Sequence, residues 1–269
     1  MKIKTKDLLT LSELTPKEFL GLIDHSIKLK KELKKGGNKP FLKNKTLTMI
    51  FQKPSTRTRV SFETGMYQLG GHAINLSSND TQLSRGESVE DTAKTLSAYT
   101  DCIMARVYDH SLLDKLSKHA SVPVINGLSD SFHPCQILAD FMTIKEKKKT
   151  LKGLKIAWIG DGNNVLHDLL LASVSMGHDF SYATPLGYEP DKMIIDRAKK
   201  IADQTGAKII STNDPEEAVS GAGVIYTDIL LEVLYADDND ADLSNGTPND
   251  VAIISAFDPV SYTHLTLPT

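Results

Sequence analysis

The amino-acid sequence predicts an α/β protein of two domains, each built on a parallel β-sheet flanked by helices. Short apolar runs alternate with amphipathic stretches from residue 47 to residue 228, an order typical of parallel sheets that carry helices on both faces. A lysine-rich stretch at residues 145–150 separates two such series of elements. The chain has 269 residues, of which 40% are hydrophobic, and this length is sufficient for two hydrophobic cores.

The individual elements follow from the period of the apolar residues and from their flanking turn and cap residues. Strands are predicted at residues 47–51, 73–76, 102–107 and 122–125 in the first domain, and at residues 155–160, 180–184, 208–211 and 224–226 in the second. Helices are predicted at residues 16–33, 58–69, 88–98, 111–119, 136–147, 165–176, 192–205 and 215–219. Thr15 can cap the first of these helices, with Pro16 at its first position. We therefore expect domains at residues 1–150 and 151–229.

The overall charge favours a small-molecule partner. A net charge of −3 provides no positive field for nucleic acid or for an anionic membrane. No apolar run approaches the about 20 residues of a membrane span, and the N-terminus lacks the apolar segment of a secretory signal. Cys102 and Cys135 are too few for a disulfide framework. We expect a cytoplasmic protein, or one of the mitochondrial matrix if a transit peptide is missing.

The run Ser55-Thr56-Arg57-Thr58-Arg59 is the strongest candidate for a binding site, because it lies between a predicted strand and a predicted helix. A helix start leaves backbone N–H groups without partners and carries partial positive charge. Hydroxyls and a guanidinium at that point can therefore converge on a phosphate group. The alternative is an N-cap residue followed by solvated arginines.

Three further polar residues occur at the ends of predicted elements: Arg106 follows an apolar run, and His133 and Gln136 open the helix at residues 136–147. Ligands of parallel α/β sheets bind at the carboxyl ends of the strands. We therefore expect a phosphate at residues 55–58, with Arg106, His133 and Gln136 on an adjoining polar atom. Taken singly, such an arginine is more often part of a surface ion pair, and such a histidine is more often structural.

Two other kinds of site are weakly supported. Gly160-Asp161-Gly162 follows a predicted strand and resembles the start of a dinucleotide-binding fingerprint, but Val165 occupies the third glycine position. A nicotinamide enzyme is therefore the weaker alternative. The sequence contains no His or Cys spacing typical of a metal site, and we expect neither a metal nor a cofactor.

Four segments together resemble the ornithine carbamoyltransferases of the aspartate/ornithine carbamoyltransferase family. They are residues 51–59 (FQKPSTRTR), 105–108 (ARVY), 126–140 (NGLSDSFHPCQILAD) and 158–164 (WIGDGNN). The likeness covers about residues 5–229. The S-T-R-T and H-P-x-Q elements are similar to those of carbamoyltransferases in general, whereas G-D-G-N-N and Tyr226-Thr227-Asp228 resemble the branch that uses ornithine.

The resemblance implies transfer of the carbamoyl group of carbamoyl phosphate to the δ-amine of L-ornithine, giving L-citrulline and phosphate in arginine biosynthesis or the urea cycle. It implies that Arg106 and His133 are catalytic, because they stabilise negative charge on the carbonyl oxygen. The substrate-binding residues that it implies are Ser55, Thr56, Arg57 and Thr58 for the phosphate, Gln136 for the carbamoyl group, and Asn164 and Asp228 for ornithine. Asn164 and Asp228 have a plainer alternative as cap or turn residues.

The resemblance also implies a homotrimer with shared active sites. The loop at residues 77–88 is similar to a mobile loop that carbamoyltransferases extend into a neighbouring subunit, where Gln82 would contact carbamoyl phosphate. No nucleic acid, membrane or cofactor is implied as a partner.

Residues from about 230 onward depart from the family. Glu232 and Val233 stand where the family has the serine and methionine of an ornithine-binding element. We therefore expect an incomplete second domain, a non-family tail at residues 230–269 and an inactive or impaired chain. The alternatives are a non-catalytic subunit that binds only carbamoyl phosphate or phosphate, and a carbamoyltransferase for putrescine or aspartate.

Overall fold

The computed structural model describes residues 3–77, 80–228 and 252–255. The chain divides into two compact units between Met142 and Thr143. Each unit has its own parallel sheet with flanking helices, which confirms the predicted fold class.

The first unit contains a four-stranded parallel sheet. Its strands are β1 (Thr46–Phe51), β2 (His72–Ser77), β3 (Cys102–Arg106) and β4 (Val124–Leu128), in the spatial order β2-β1-β3-β4. Its helices are α1 (Pro16–Lys34), α2 (Thr56–Gln68), α3 (Val89–Tyr99), α4 (His110–His119) and α5 (Pro134–Lys148), and α5 continues across the division into the second unit. Two short 3-10 turns, Leu11–Glu13 and Gln82–Arg85, were not predicted.

The second unit contains five parallel strands in the order β7-β6-β5-β8-β9. The strands are β5 (Lys155–Ile159), β6 (Asp179–Ala183), β7 (Ile209–Thr212), β8 (Val224–Thr227) and β9 (Ala252–Ser255), and the helices are α6 (Asn164–Ser175), α7 (Lys192–Thr205) and α8 (Pro215–Val219). Its core includes the fully buried rings of Trp158 and Tyr226, which stack with centroids 5.2 Å apart.

In each sheet the direction in which successive strands are added changes once. This change of direction determines where a ligand can bind. In the first sheet the chain adds β2 on one side of β1 and then β3 on the other side. In the second sheet it adds β6 and β7 on one side of β5 and then β8 on the other. A crevice opens at such a switch point, outside the carboxyl ends of the two strands. The switch points therefore lie between β1 and β3, and between β5 and β8.

Strand β4 differs from its predicted position. The sequence predicts a strand at residues 122–125, whereas β4 covers Val124–Leu128 and includes Asn126 and Gly127. The side-chain amide of Asn126 is buried and donates to the backbone oxygens of Leu9 (2.9 Å) and Phe132 (3.2 Å). A Cβ atom at Gly127 would lie 2.4 Å from the Met104 sulfur. Asn-Gly is therefore not a turn here. The hydrogen bonds of the buried Asn126 amide hold this residue within β4, and the lack of a side chain at Gly127 leaves room for Met104.

Part of the predicted non-family tail belongs to the second sheet. Strand β9 pairs in parallel with β8, and Ile253 lies opposite Ile225. The apolar run Ala252-Ile253-Ile254 contains the β-branched residues that suit such a strand. Glu232, Val233 and the other tail residues lie outside the described part of the chain. The predicted strands of the second sheet end at residue 226, so β9 is an additional strand that the sequence analysis did not predict.

Candidate functional site

The start of α2 lies at the switch point of the first sheet. Ser55 is the N-cap: its hydroxyl accepts from the Thr58 backbone N–H (3.3 Å) and donates to the Thr58 hydroxyl (3.0 Å). Thr58 is 1% exposed, whereas Thr56 and Arg57 are exposed in the first turn of the helix. Ser55 therefore has the capping role that the sequence analysis gave as the alternative to anion binding. The same hydrogen bonds fix the hydroxyl-rich turn at the N-terminus of α2, the end of a helix that favours anions.

Strand β3 brings Arg106 to this helix start. Arg106 is its last residue and lies opposite Phe51, the last residue of β1. The Arg106 backbone oxygen accepts from the Gln52 N–H (2.9 Å), and its Nη1 donates to the Thr58 hydroxyl over 3.4 Å. The structure therefore brings together Arg106 and the Ser55–Thr58 turn, as the sequence predicts.

His133 lies immediately before α5 and is 4% exposed. Its backbone oxygen accepts from the N–H groups of Gln136 (3.1 Å) and Ile137 (3.4 Å), which fixes it at the helix start. Burial and, secondarily, the positive charge of Arg106 lower the pKa of His133 to about 3. The imidazole is therefore neutral at physiological pH, and one ring N–H can donate to an uncharged or anionic oxygen.

Gln136 is also buried, and its Nε2 donates to the Asp140 carboxylate over 3.0 Å. Asp140 lies one turn further along α5, so the amide is held in a defined orientation. The contact of Gln136 with a carbamoyl group stays a prediction.

The lowered pKa of His133 has a consequence for stability in acid. Below its ordinary value of 6.5 the imidazole takes up a proton in the unfolded chain but not in the folded chain, so acid favours unfolding. Between pH 7 and pH 5 the wild-type protein is expected to lose about 2 kcal/mol more unfolding free energy than His133→Gln. Urea denaturation at both pH values measures this difference. The half-buried His110 and the buried His178, whose pKa values are also lowered, are present in both proteins. Equal losses would contradict the prediction.

A second group of polar residues lies at the switch point of the second sheet. Asn164 is the first residue of α6, and Asp228 directly follows β8. The N-cap alternative for Asn164 is wrong, because Asn163 caps the helix: its side-chain oxygen accepts from the N–H groups of Val165 (2.9 Å) and Leu166 (3.1 Å). The Asn163 Nδ2 donates to the Asp228 Oδ2 over 3.0 Å. The sequence does not predict this contact, since 65 positions separate the two residues.

Gly162, one glycine of the weak dinucleotide fingerprint, has a packing role. A Cβ atom at Gly162 would lie 2.1 Å from the Pro190 nitrogen, and the Gly162 N–H donates to the Tyr188 oxygen over 2.7 Å. The close approach that requires glycine here is therefore to the protein's own backbone. This observation disfavours the nicotinamide alternative.

Gln82 begins an exposed 3-10 turn, which ends at Arg85. Its contact with carbamoyl phosphate across a subunit interface stays a prediction.

In the described ranges, no three His, Cys, Asp or Glu side chains are grouped so as to hold a metal ion. None of the described helices combines the length and apolarity needed to cross a membrane.

Two family models match the chain. Residues 6–146 match the carbamoyl-P binding domain of aspartate/ornithine carbamoyltransferase, and residues 152–250 match the Asp/Orn binding domain of the same family. The second match extends past residue 229, where the sequence analysis placed the departure from the family.

Individual relatives agree with the models. The ornithine carbamoyltransferase of Bacillus thuringiensis subsp. konkukian is 53% identical over 232 residues, which are 86% of this chain and 72% of that protein. The solved ornithine carbamoyltransferase of Pyrococcus furiosus has a TM-score of 0.82 at 50% identity, covering 87% of this chain and 75% of its own. The mitochondrial ornithine carbamoyltransferase of Coccidioides immitis has a TM-score of 0.84 at 37% identity, covering 96% and 93%.

Proposed function

The chain belongs to the aspartate/ornithine carbamoyltransferase family, and on this premise we propose that it carbamoylates L-ornithine with carbamoyl phosphate, giving L-citrulline and phosphate. The observation that carries the proposal is the hydrogen bond between Arg106 and Thr58 at the switch point of the first sheet. The buried imidazole of His133, whose pKa the charge of Arg106 helps to lower, supports it. Identity of 53% to an ornithine carbamoyltransferase supports ornithine as the acceptor.

The first unit binds carbamoyl phosphate in this proposal. The phosphate lies at the N-terminus of α2, where backbone N–H groups, the hydroxyls of Ser55, Thr56 and Thr58 and the Arg57 guanidinium favour an anion. This turn also stabilises the phosphate as it departs. The exposure of Arg57 leaves its side chain accessible to a ligand that arrives from solvent.

Arg106 and His133 act on the carbamoyl carbonyl. When the uncharged δ-amine attacks, a C–N bond forms and the C–O bond to phosphate breaks. The proton that the amine loses is taken up by the departing phosphate. Negative charge develops on the carbonyl oxygen in the tetrahedral intermediate. The Arg106 charge and a neutral His133 N–H are donors preset for that oxygen, and such donors lower the barrier because they need no reorganisation. Gln136 orients the carbamoyl amide.

The second unit binds ornithine. Asn164 at the start of α6 donates to the α-carboxylate, and the helix terminus contributes partial positive charge. The Asp228 carboxylate accepts from an ammonium group of the substrate. A homotrimer with Gln82 shared between subunits, and a role in arginine biosynthesis or the urea cycle, form the remaining part of the proposal and depend on the family alone.

Citrulline formation tests the proposal directly. The sequence predicts an inactive or impaired chain, whereas the proposal expects the purified chain to form citrulline from ornithine and carbamoyl phosphate. It also expects the chain to carbamoylate aspartate and putrescine far more slowly under the same conditions. Carbamoyl phosphate is also expected to raise the melting temperature, and ornithine to raise it further in its presence. No citrulline at high protein concentration, with stabilisation by carbamoyl phosphate alone, would instead favour a non-catalytic subunit. Faster turnover of aspartate or putrescine would reassign the acceptor.

A further inference from the structure

The side chain of Asn163 uses its two polar atoms for two different purposes. Its Oδ1 accepts from the first free N–H groups of α6, those of Val165 and Leu166, and so caps the helix. Its Nδ2 donates to the Oδ2 of Asp228 over 3.0 Å. An N-cap needs only the acceptor. The donor is therefore available for a separate role that ordinary capping does not explain.

We propose that Asn163 is a positioning residue for ornithine, because its side-chain amide orients the Asp228 carboxylate. This inference rests on the proposed function. A carboxylate has two oxygens with about four lone-pair directions. The Asn163 amide engages Oδ2 and fixes the rotation of the carboxylate, so that Oδ1 is held in one direction for a substrate ammonium group. Without the hydrogen bond from Asn163, ornithine would have to order the Asp228 side chain when it binds, and the lost conformational entropy would lower the affinity.

The loop that carries Asn163 is itself firmly held. The Gly162 N–H donates to the Tyr188 oxygen (2.7 Å), and the absence of a side chain at Gly162 allows the Pro190 backbone to approach. The Asp191 N–H donates to the His167 Nε2 on α6 over 3.2 Å. These contacts lie within the second unit and brace the loop against the segment before α7. The Asn163 amide therefore starts from a fixed point, which a positioning residue requires.

The same amide also links the two strands of the switch point. Asn163 follows β5, and Asp228 follows β8, its neighbour in the sheet. The hydrogen bond joins the two strand ends at the edge where ligands bind. Both side chains are half-buried, so the bond is partly shielded from water and the carboxylate is reachable from solvent.

Two substitutions separate capping from positioning. In Asn163→Asp the side chain keeps the acceptor for α6, but a carboxylate oxygen replaces the donor and repels Asp228. In Asn163→Ser the hydroxyl still caps the helix, since Ser, Asp and Asn are about equal as N-caps, but it is too short to reach Asp228. Asp214→Ser is the matched control, because Asp214 caps α8 through its own carboxylate, outside the proposed substrate site.

Both Asn163 variants are expected to raise the KM for ornithine by about 10- to 100-fold, the range for losing a partner that orients a metal ligand. The KM for carbamoyl phosphate is expected to change by less than about twofold, and the melting temperature to stay close to that of Asp214→Ser. The Asp variant should have the larger effect, because it adds repulsion. An unchanged KM for ornithine in both variants, or equal increases for both substrates, would overturn the inference.

Failure of the proposed function can be distinguished from failure of this inference. If the wild-type chain forms no citrulline, calorimetric titration with ornithine in the presence of phosphate replaces the kinetic assay. Weaker ornithine binding by Asn163→Asp than by the wild type and by Asp214→Ser would support the inference in a chain without turnover. Equal binding by all three proteins, or no ornithine binding by the wild type, would overturn it.

Discussion

Replacement of Arg106 by alanine is expected to lower kcat for citrulline formation by about 10²- to 10³-fold, the range for removal of one preorganised donor to a developing oxyanion. Arg106 ends β3, donates to the Thr58 hydroxyl and lies near enough to His133 to lower the pKa of its imidazole. Its charge therefore acts on both groups that surround the proposed ligand. The loss of the charge removes the interaction that strengthens most as the carbonyl oxygen becomes negative.

Two further variants make the Arg106 result specific. Arg106→Lys is expected to retain part of the activity, because the charge remains but the planar fork of donors is lost. Arg197→Ala, at an exposed position on α7, should stay within about twofold of the wild type, since exposed single charges contribute little. Steady-state kinetics with carbamoyl phosphate as the varied substrate measures all three. A kcat for Arg106→Ala close to that of Arg197→Ala would remove Arg106 from the catalytic group.

Replacement of His133 by alanine is expected to lower kcat by about 10²-fold and to leave the KM for carbamoyl phosphate within about threefold. The imidazole is buried and neutral, and its backbone oxygen is part of the start of α5. A neutral N–H donor interacts weakly with the carbonyl oxygen of the bound substrate. It interacts more strongly with the oxyanion of the intermediate, so its removal affects the chemical step more than binding.

The control for His133 is a histidine that lies outside the site. His25→Ala, at an exposed position on α1, is expected to leave kcat and KM unchanged. His133→Gln restores a side-chain N–H near the imidazole position and should recover part of the activity if hydrogen bonding is the role of the histidine. An effect of His133→Ala confined to KM would contradict a role in the transition state.

Local sequence features were sufficient to predict the caps of α1 and α2 and the alternation of strands and helices. Thr15 caps α1, as predicted, and Ser55 caps α2. Both caps depend on residues within three positions of each other. The reciprocal bond from the Thr15 N–H to Glu18 was not predicted. Strand and helix alternation likewise predicted two parallel sheets, because periodicity depends on neighbouring residues alone. The sequence alone therefore predicts ligand-binding positions at the ends of β1 and β3.

The predicted bounds of β4 are wrong because tertiary packing overrides the local preference of its residues for a turn. Asn126-Gly127 is a common turn pair, but both residues lie inside β4, since the Asn126 amide links two distant backbone segments and Gly127 accommodates Met104. The contact between Asn163 and Asp228 was also missed. Each residue alone resembles a cap or turn residue, and their hydrogen bond crosses 65 positions of the chain.

The sequence by itself determined the α/β class and the helix start that favours an anion. Both depend on interactions within a few residues, which the order of side chains specifies directly. The candidate residues for carbamoyl transfer came from the resemblance to the family. Only the tertiary structure decided that Arg106 meets Thr58, that His133 is buried and neutral, and that Asn163 rather than Asn164 caps α6 and holds Asp228. The physical reason is that the order of strands in each sheet brings distant strand ends together, and burial then sets the charge and direction of the groups that meet there.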